Sequence, residues 1–296
     1  MQEVKKPVRL KPECISCLLK SRLDFAAEDT PVEKKIEYMQ KVLRAISELE
    51  LHESAPVVVR TINQIQKEMF GVSEDFTDVK VYFNNLMMSK VPELQKNLNE
   101  SDDALELAIQ YAITGNYIDF GAMNHVDESI LQKYMDDAKN IVVNADEYAM
   151  LQNDIEKAKS IVYLTDNCGE VVLDKLLMEE IGKRNPKAKI TAVVRGADVL
   201  NDATLVDAEQ VKLYEVAEVI GNGSDIAGTF IDSISDETKQ LLDNADVILA
   251  KGQANFETMQ ECGLNVYYIF MCKCEMFAKR FGVPRFTGML INDRRM

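Results

Sequence analysis

Apolar residues in the first half of the chain recur at gaps of three and four. Between Val32 and Leu51 they fall at Ile36, Met39, Val42, Leu43, Ile46 and Leu49, which lie on one helical face. A second run, Val57, Val58, Ile62, Ile65 and Met69, stops at Gly71. A third carries Tyr82, Phe83, Leu86, Met87, Val91 and Leu94, and Pro92 is expected to weaken its second half. Ser101-Asp102-Asp103 caps a fourth, through Leu105, Leu107, Ala108, Ile109 and Ala112 to about Gly115. No fixed-period repeat is visible.

The period changes near residue 145. After a predicted helix over 146–157, short β-branched runs alternate with amphipathic ones. Strands are predicted over 161–164, 190–194, 216–220, 247–250 and 266–270, with Glu218 interrupting the third. Helices are predicted over 170–183 and 235–244. This alternation implies βαβ units and a mostly parallel sheet. The expected architecture is a helical domain over 1–145, its N-terminal segment able to pack on the second domain. That second domain, 146–296, is expected to be a three-layer α/β/α, Rossmann-like fold.

Composition narrows the class. The 296 residues are 47% apolar and 28% charged, as in ordinary globular proteins. A formal charge of −15 and the lack of any Lys/Arg run argue against a nucleic-acid partner. No secretory signal follows Met1, and no stretch reaches the roughly 18 apolar residues of a membrane span. A cytoplasmic protein is expected, so Cys14, Cys17, Cys168, Cys262, Cys272 and Cys274 read as thiols or metal ligands. Met69, Met87, Met88 and Met123 read as core filling.

Chemistry concentrates where strands end. Asp166-Asn167-Cys168-Gly169-Glu170 follows the first strand run and opens a helix, so two oxygen-bearing side chains sit at a strand tip. Asn201-Asp202 follows the second strand. Asp166, Asn167 and Asp202 together suit a hard cation such as magnesium or manganese. The amides after Asn167, around Gly169 and Glu170, would face an anion. Arg195 ends the second strand and Lys251-Gly252-Gln253-Ala254-Asn255 follows the fourth. Lys251 would neutralise a phosphate, Gly252 would admit backbone amides and Asn255 would bind substrate. Gly221-Asn222-Gly223-Ser224-Asp225 lacks the third glycine of a dinucleotide fingerprint. Cys14-Ile15-Ser16-Cys17 and Cys272-Lys273-Cys274 have ligand-like spacing, for a second metal or redox site. His52 and His125 stand alone.

These motifs resemble those of the metal-dependent damage-control phosphatase family. Asp166–Glu170 looks like its Asp-Asn-x-Gly-Glu signature, Asn201-Asp202-Ala203-Thr204 its second acidic motif, and Lys251–Phe256 its Lys-Gly-x-x-Asn element. Gly115-Asn116-Tyr117-Ile118-Asp119 is similar to its helical-part segment, and Cys14, Cys17 and Lys273-Cys274 to its stand-alone prokaryotic-type branch. Ala254 and Phe256 stand where that branch commonly has glycine and tyrosine. The resemblance implies a cation on Asp166, Asn167 and Asp202, with cobalt, nickel, manganese or magnesium as candidates. It also implies hydrolysis of small phosphometabolites such as sugar phosphates, nucleotides or damaged forms of them.

The expected reaction is phosphate monoester hydrolysis, by attack of Asp166 or of a bound water. Asn116, Asp119 and Asn255 would position the alcohol, and Glu170 or Asp119 would assist proton transfer. A methyltransferase using S-adenosylmethionine is one alternative, though Arg195 stands where ribose recognition favours an acid. A cysteine-based metal or redox protein is another. The substrate, preferred metal and oligomeric state stay open.

Overall fold

The alternating runs of the second half form one six-stranded sheet, ordered β3-β2-β1-β4-β5-β6. The strands are β1 (Ser160–Leu164), β2 (Lys189–Val194), β3 (Glu218–Gly221), β4 (Val247–Lys251), β5 (Val266–Cys272) and β6 (Thr287–Asn292). The first five are parallel, and β6 pairs antiparallel with β5. The structure, a computed structural model, describes residues 10–25, 30–71, 75–120 and 126–296.

Two compact units divide at Asp75 and Phe76. The first holds α1 (Pro12–Phe25), α2 (Val32–Ser47) and α3 (Ala55–Phe70). Leu18, Tyr38, Val42, Ile46, Val58 and Ile62 form its core. Gln66 Nε2 donates to the buried Tyr38 hydroxyl at 2.8 Å, which satisfies a polar tip inside that core. His52 Nδ1 lies 3.2 Å from Glu50; His125 lies outside the described residues.

The second unit contains the sheet with α4 (Thr77–Glu100), α5 (Ala104–Gly115), α6 (Glu128–Asp136), α7 (Ala145–Lys157) and α8 (Glu170–Arg184). It continues with α9 (Leu205–Gln210), α10 (Asp236–Asp243), α11 (Gly252–Met259) and α12 (Glu275–Phe281). Strand alternation sorts the core into two layers. Tyr163, Leu249 and Ile269 pack with Ile109 of α5 and Leu173 of α8. Val162, Ile248 and Phe270 pack with Leu242, Phe256 and Phe277 of α10, α11 and α12. The α/β/α class is as expected.

Four particulars differ from the sequence reading. The unit boundary is not at residue 145, because Phe83, Met87, Leu105 and Ile109 belong to the same core as Tyr163 and Leu173. Pro92 does not end α4; Leu94 and Leu98 beyond it are buried, and their burial offsets the lost backbone hydrogen bond. The third strand starts two residues late, at Glu218, because Leu213–Glu215 forms a 3-10 turn. Strand β6 is additional to the five expected. Among the described residues, no helix is long and apolar enough to cross a membrane.

Candidate active site

Strand β1 lies between β2 and β4, so successive connections leave it in opposite directions. The C-terminal ends of β1 and β4 therefore form the switch point where such sheets bind ligands. Asp166 and Asn167 extend just past β1. The segment after β2 folds back onto them: Asn167 and Asp202 form an antiparallel bridge. Cys168 N donates to Asn201 O at 2.8 Å, and Ala203 N to Asp166 O at 2.7 Å. A second bridge joins Arg195 to Thr204. Backbone pairing thus carries Asp202 to Asp166.

Gly252 closes the other side. Its φ is +80°, and a Cβ there would lie 1.8 Å from Asp166 Oδ2. Only a residue without a side chain lets the start of α11 meet the carboxylate. Among the described residues no side chain caps α11, so its first-turn amides lack that partner.

The site is buried and dense in charge. Asp166 and Asp202 are each 3% exposed and Arg195 is 1% exposed. Arg195 Nε donates to Asp202 Oδ2 at 2.6 Å, and Nη2 donates to Thr165 O at 3.3 Å. Nη2 also lies 3.7 Å from Asp166 Oδ1. Its Nη1 is buried with no hydrogen-bond partner among the described residues. Burial pushes the Asp166 carboxyl well above the usual range, and Glu170, Asp202 and Asp119 add to this against the opposing pull of Arg195. Burial likewise pushes Asp202 up to about 6, with Arg195 pulling the other way.

An asparagine and a glutamate organise these groups. Asn116, just past α5, donates through Nδ2 to Asp166 Oδ2 and Glu170 Oε2, each at 3.1 Å. Its Oδ1 accepts from Met271 N at 3.0 Å. Asn167 Nδ2 donates to Asp166 Oδ2 at 2.8 Å and Glu170 Oε2 at 3.1 Å. Asn201 ties down the loop after α5: Oδ1 accepts from Phe120 N at 3.0 Å and Nδ2 donates to Ile118 O at 3.2 Å. Asp119, on that loop, pairs with the ammonium of the buried Lys273.

Residues 10–288 match the family model described as "Damage-control phosphatase ARMT1-like domain". The chain belongs to that family. A damage-control phosphatase of Archaeoglobus fulgidus is 32% identical over 93% of this chain and 96% of that protein. An uncharacterized protein of Methanocaldococcus jannaschii is 32% identical over 96% of this chain and 95% of its own. The crystal structure of a DUF89 family protein from Pyrococcus horikoshii covers 96% of this chain and 99% of that one. It superposes with a TM-score of 0.78 at 24% identity, a likeness of fold.

Within this damage-control phosphatase frame, Asp166, Asn167, Asp202, Arg195 and Gly252 converge as the sequence reading expected. Several other assignments change. Lys251 does not face a phosphate: it is fully buried, and Nζ pairs with Glu170, with Asp174 Oδ1 at 2.9 Å and with Ala112 O at 2.9 Å. All three of its hydrogens are consumed. The amides after Asn167 are also spent. Cys168 N bonds Asn201, Gly169 N donates to Asn84 Oδ1 of α4 at 2.6 Å, and Glu170 N donates to Cys168 O at 2.7 Å.

Asn255 is likewise internal, donating to Thr165 O at 3.1 Å and Lys251 O at 2.6 Å and accepting from Thr229. Asn116 and Glu170 contact the carboxylate and amide of the site rather than open space. In the sequence Lys273 stands out only as a motif neighbour of cysteine. Its position just past β5, one strand beyond β4, was the available signal.

The donor set suits a hard divalent cation. Two buried carboxyl groups share one guanidinium, and a cation held between them would favour their ionised forms. The third donor would be the Asn167 carbonyl oxygen, since both of that amide's bonded neighbours take its Nδ2. Cys14 and Cys17 lie on α1 in the first unit, whereas Cys272 ends β5 and Cys274 precedes α12 in the second. Among the described residues, no group of three or more His, Cys, Asp or Glu is arranged to hold a metal ion.

Proposed function

We propose that this protein is a divalent-metal-dependent phosphatase that hydrolyses phosphate monoesters of small metabolites. One observation carries the reading: the Asn167–Asp202 bridge, which gathers Asp166, Asn167 and Asp202 at the switch point beside a guanidinium whose Nη1 has no partner among the described residues. Family membership and the damage-control phosphatases among its relatives support the same reaction class.

Asp166, Asn167 and Asp202 would hold magnesium, manganese, cobalt or nickel. Such an ion supplies Lewis-acid stabilisation of phosphoryl charge. Arg195 Nη1 is the first candidate to hold a phosphoryl oxygen, since a buried donor without an acceptor costs about 1–3 kcal/mol until one arrives. Lys273 is the second. Its ammonium pairs with Asp119 alone among the described residues, against the three acceptors around Lys251. The uncapped start of α11 adds backbone donors at the Asp166 side. These groups hold charge in fixed geometry, which is most of what phosphoryl transfer asks of a protein. A reducing cytoplasm suits six unbridged cysteines.

The test is a panel of sugar phosphates, nucleotides and p-nitrophenyl phosphate with each metal, run on wild type, Asp166→Ala and Asp202→Ala. Wild type should turn over several of these esters only with metal, and each variant should lose at least about 100-fold in kcat/KM. Equal turnover by all three proteins would remove the proposed centre.

A further inference from the structure

We propose that Lys251 and Glu170 are positioning residues that set which face of the Asn167 amide meets the cation. The inference rests on the metal-site reading above and gives Lys251 a role other than phosphate binding.

The geometry runs outward from the buried ammonium. Lys251 Nζ holds Glu170 by Oε1. That leaves Oε2 to accept from Asn116 Nδ2 and Asn167 Nδ2, each at 3.1 Å, and from Asn167 N at 3.4 Å. Asp166 Oδ2 takes the same two side-chain amides, from Asn116 at 3.1 Å and Asn167 at 2.8 Å. Both acceptors next to Asn167 Nδ2 are therefore carboxylate oxygens, and only an NH2 group can face them. The carbonyl oxygen of Asn167, its one metal-binding atom, is turned the other way. Asn116 cannot turn over to compensate, because its Oδ1 is fixed by Met271 N at 3.0 Å.

The arrangement needs two acceptor oxygens at residue 170. A glutamine there has one. It must set an NH2 group against either the Lys251 ammonium or the two asparagine NH2 groups. In the second case the Asn167 amide relieves the clash by turning over, and its oxygen leaves the site. In the first, Lys251 loses its acceptor and Glu170's replacement loses its anchor. Lys251→Met removes the anchor directly. Burial leaves no water to take its place, since Lys251, Glu170 and Asp174 are each 0% exposed.

The experiment is Mn2+ binding by equilibrium dialysis and EPR on the full chain, without substrate, for wild type, Glu170→Gln and Lys251→Met. Inorganic phosphate inhibition is measured alongside. Loss of an orienting contact behind a metal ligand typically weakens affinity by about 10–100-fold. We expect that rise in the Mn2+ Kd for Glu170→Gln, with the number of sites per chain unchanged; a merely structural defect would lower the number of sites instead. An unchanged Kd in Glu170→Gln overturns the proposal, whether or not Lys251→Met folds. So does a folded Lys251→Met with wild-type Mn2+ affinity and weaker phosphate inhibition, which would mark a phosphate-binding lysine. Wild type that binds no Mn2+ would sink the metal-site reading itself, and the proposal with it.

Discussion

Gly252→Ala is the sharpest probe of the crevice between β1 and β4. The added Cβ would lie 1.8 Å from Asp166 Oδ2 and 2.2 Å from Asp166 Cγ, where ordinary contact begins near 3.4 Å. About 1.6 Å of separation must therefore open between α11 and Asp166. If the carboxylate moves, it leaves the amides of Asn167 and Asn116, now at 2.8 and 3.1 Å. Each hydrogen bond to a charged group contributes roughly 1.5–3 kcal/mol. If the helix moves instead, its first turn retreats from the site. Alanine at φ +80° adds about 1–2 kcal/mol of backbone strain in either case. The expected loss of stability is about 2–5 kcal/mol, read by urea unfolding. If Asp166 acts as proposed, a displacement above 1 Å there should cost at least about 100-fold in kcat/KM. Gly282→Ala is the control, because φ is +66° there but nothing lies within 4 Å of the new Cβ. It should lose about 1 kcal/mol and no activity. Gly252→Ala within threefold of wild-type kcat/KM would refute the argued contact.

Asp174 carries a pH dependence of stability. Burial pushes its carboxyl up to about 7, against Lys251 and the Tyr163 hydroxyl, while Glu170 pushes the same way as burial. The folded state therefore holds this proton to higher pH than the unfolded state. Its contribution is present below the ordinary carboxylate range and is lost as pH rises to about 7. Asp174→Asn keeps an oxygen for Lys251 and Tyr163, so urea unfolding from pH 4.5 to 8 should show a flatter profile than wild type; parallel profiles would contradict this. Lys273→Met should raise KM for phosphomonoesters about 10-fold or more while leaving the Mn2+ Kd within twofold, as expected for a charged donor that serves substrate rather than metal. A shifted Mn2+ Kd would reassign it. Asn84→Ala removes the acceptor of Gly169 N and the donor to Asp207 at 2.9 Å, and should destabilise by about 2–4 kcal/mol in urea unfolding.

Much of the fold was legible because periodicity and burial agree. The five parallel strands and the helix after β1 sit where period-2 and period-3.6 runs put them. The unit boundary was not legible. Helices α4 to α7 have the same local pattern as α1 to α3, and only the identity of the surface each covers separates them. Phe83 and Ile109 cover the sheet, while Val42 and Ile62 cover one another's helices. Strand β6 escaped because Thr287 and Gly288 open it, and it runs antiparallel at the sheet edge.

The site divides along a similar line. Strand ends name the residues at a rim, but alternation decides which face each side chain takes, and this was available in the sequence. Val247 and Leu249 point to the α5 and α8 face, whereas Ile248 and Ala250 point to the other. Two residues on from Leu249, Lys251 returns to the α8 face and meets Glu170 and Asp174. By the same count Asp166 follows Val162 and Leu164, and Arg195 follows Val193, onto the α11 face where Gly252 waits. Parity alone thus separates the buried ammonium from the groups at the crevice. It could not have supplied Asp202, whose approach depends on a backbone bridge formed outside any strand. Nor could it show that the α8 amides were spent, since their acceptors, Asn84 and Asn201, come from α4 and from the loop after β2. Among the described residues no side chain caps the start of α11, which meets this crevice through Gly252.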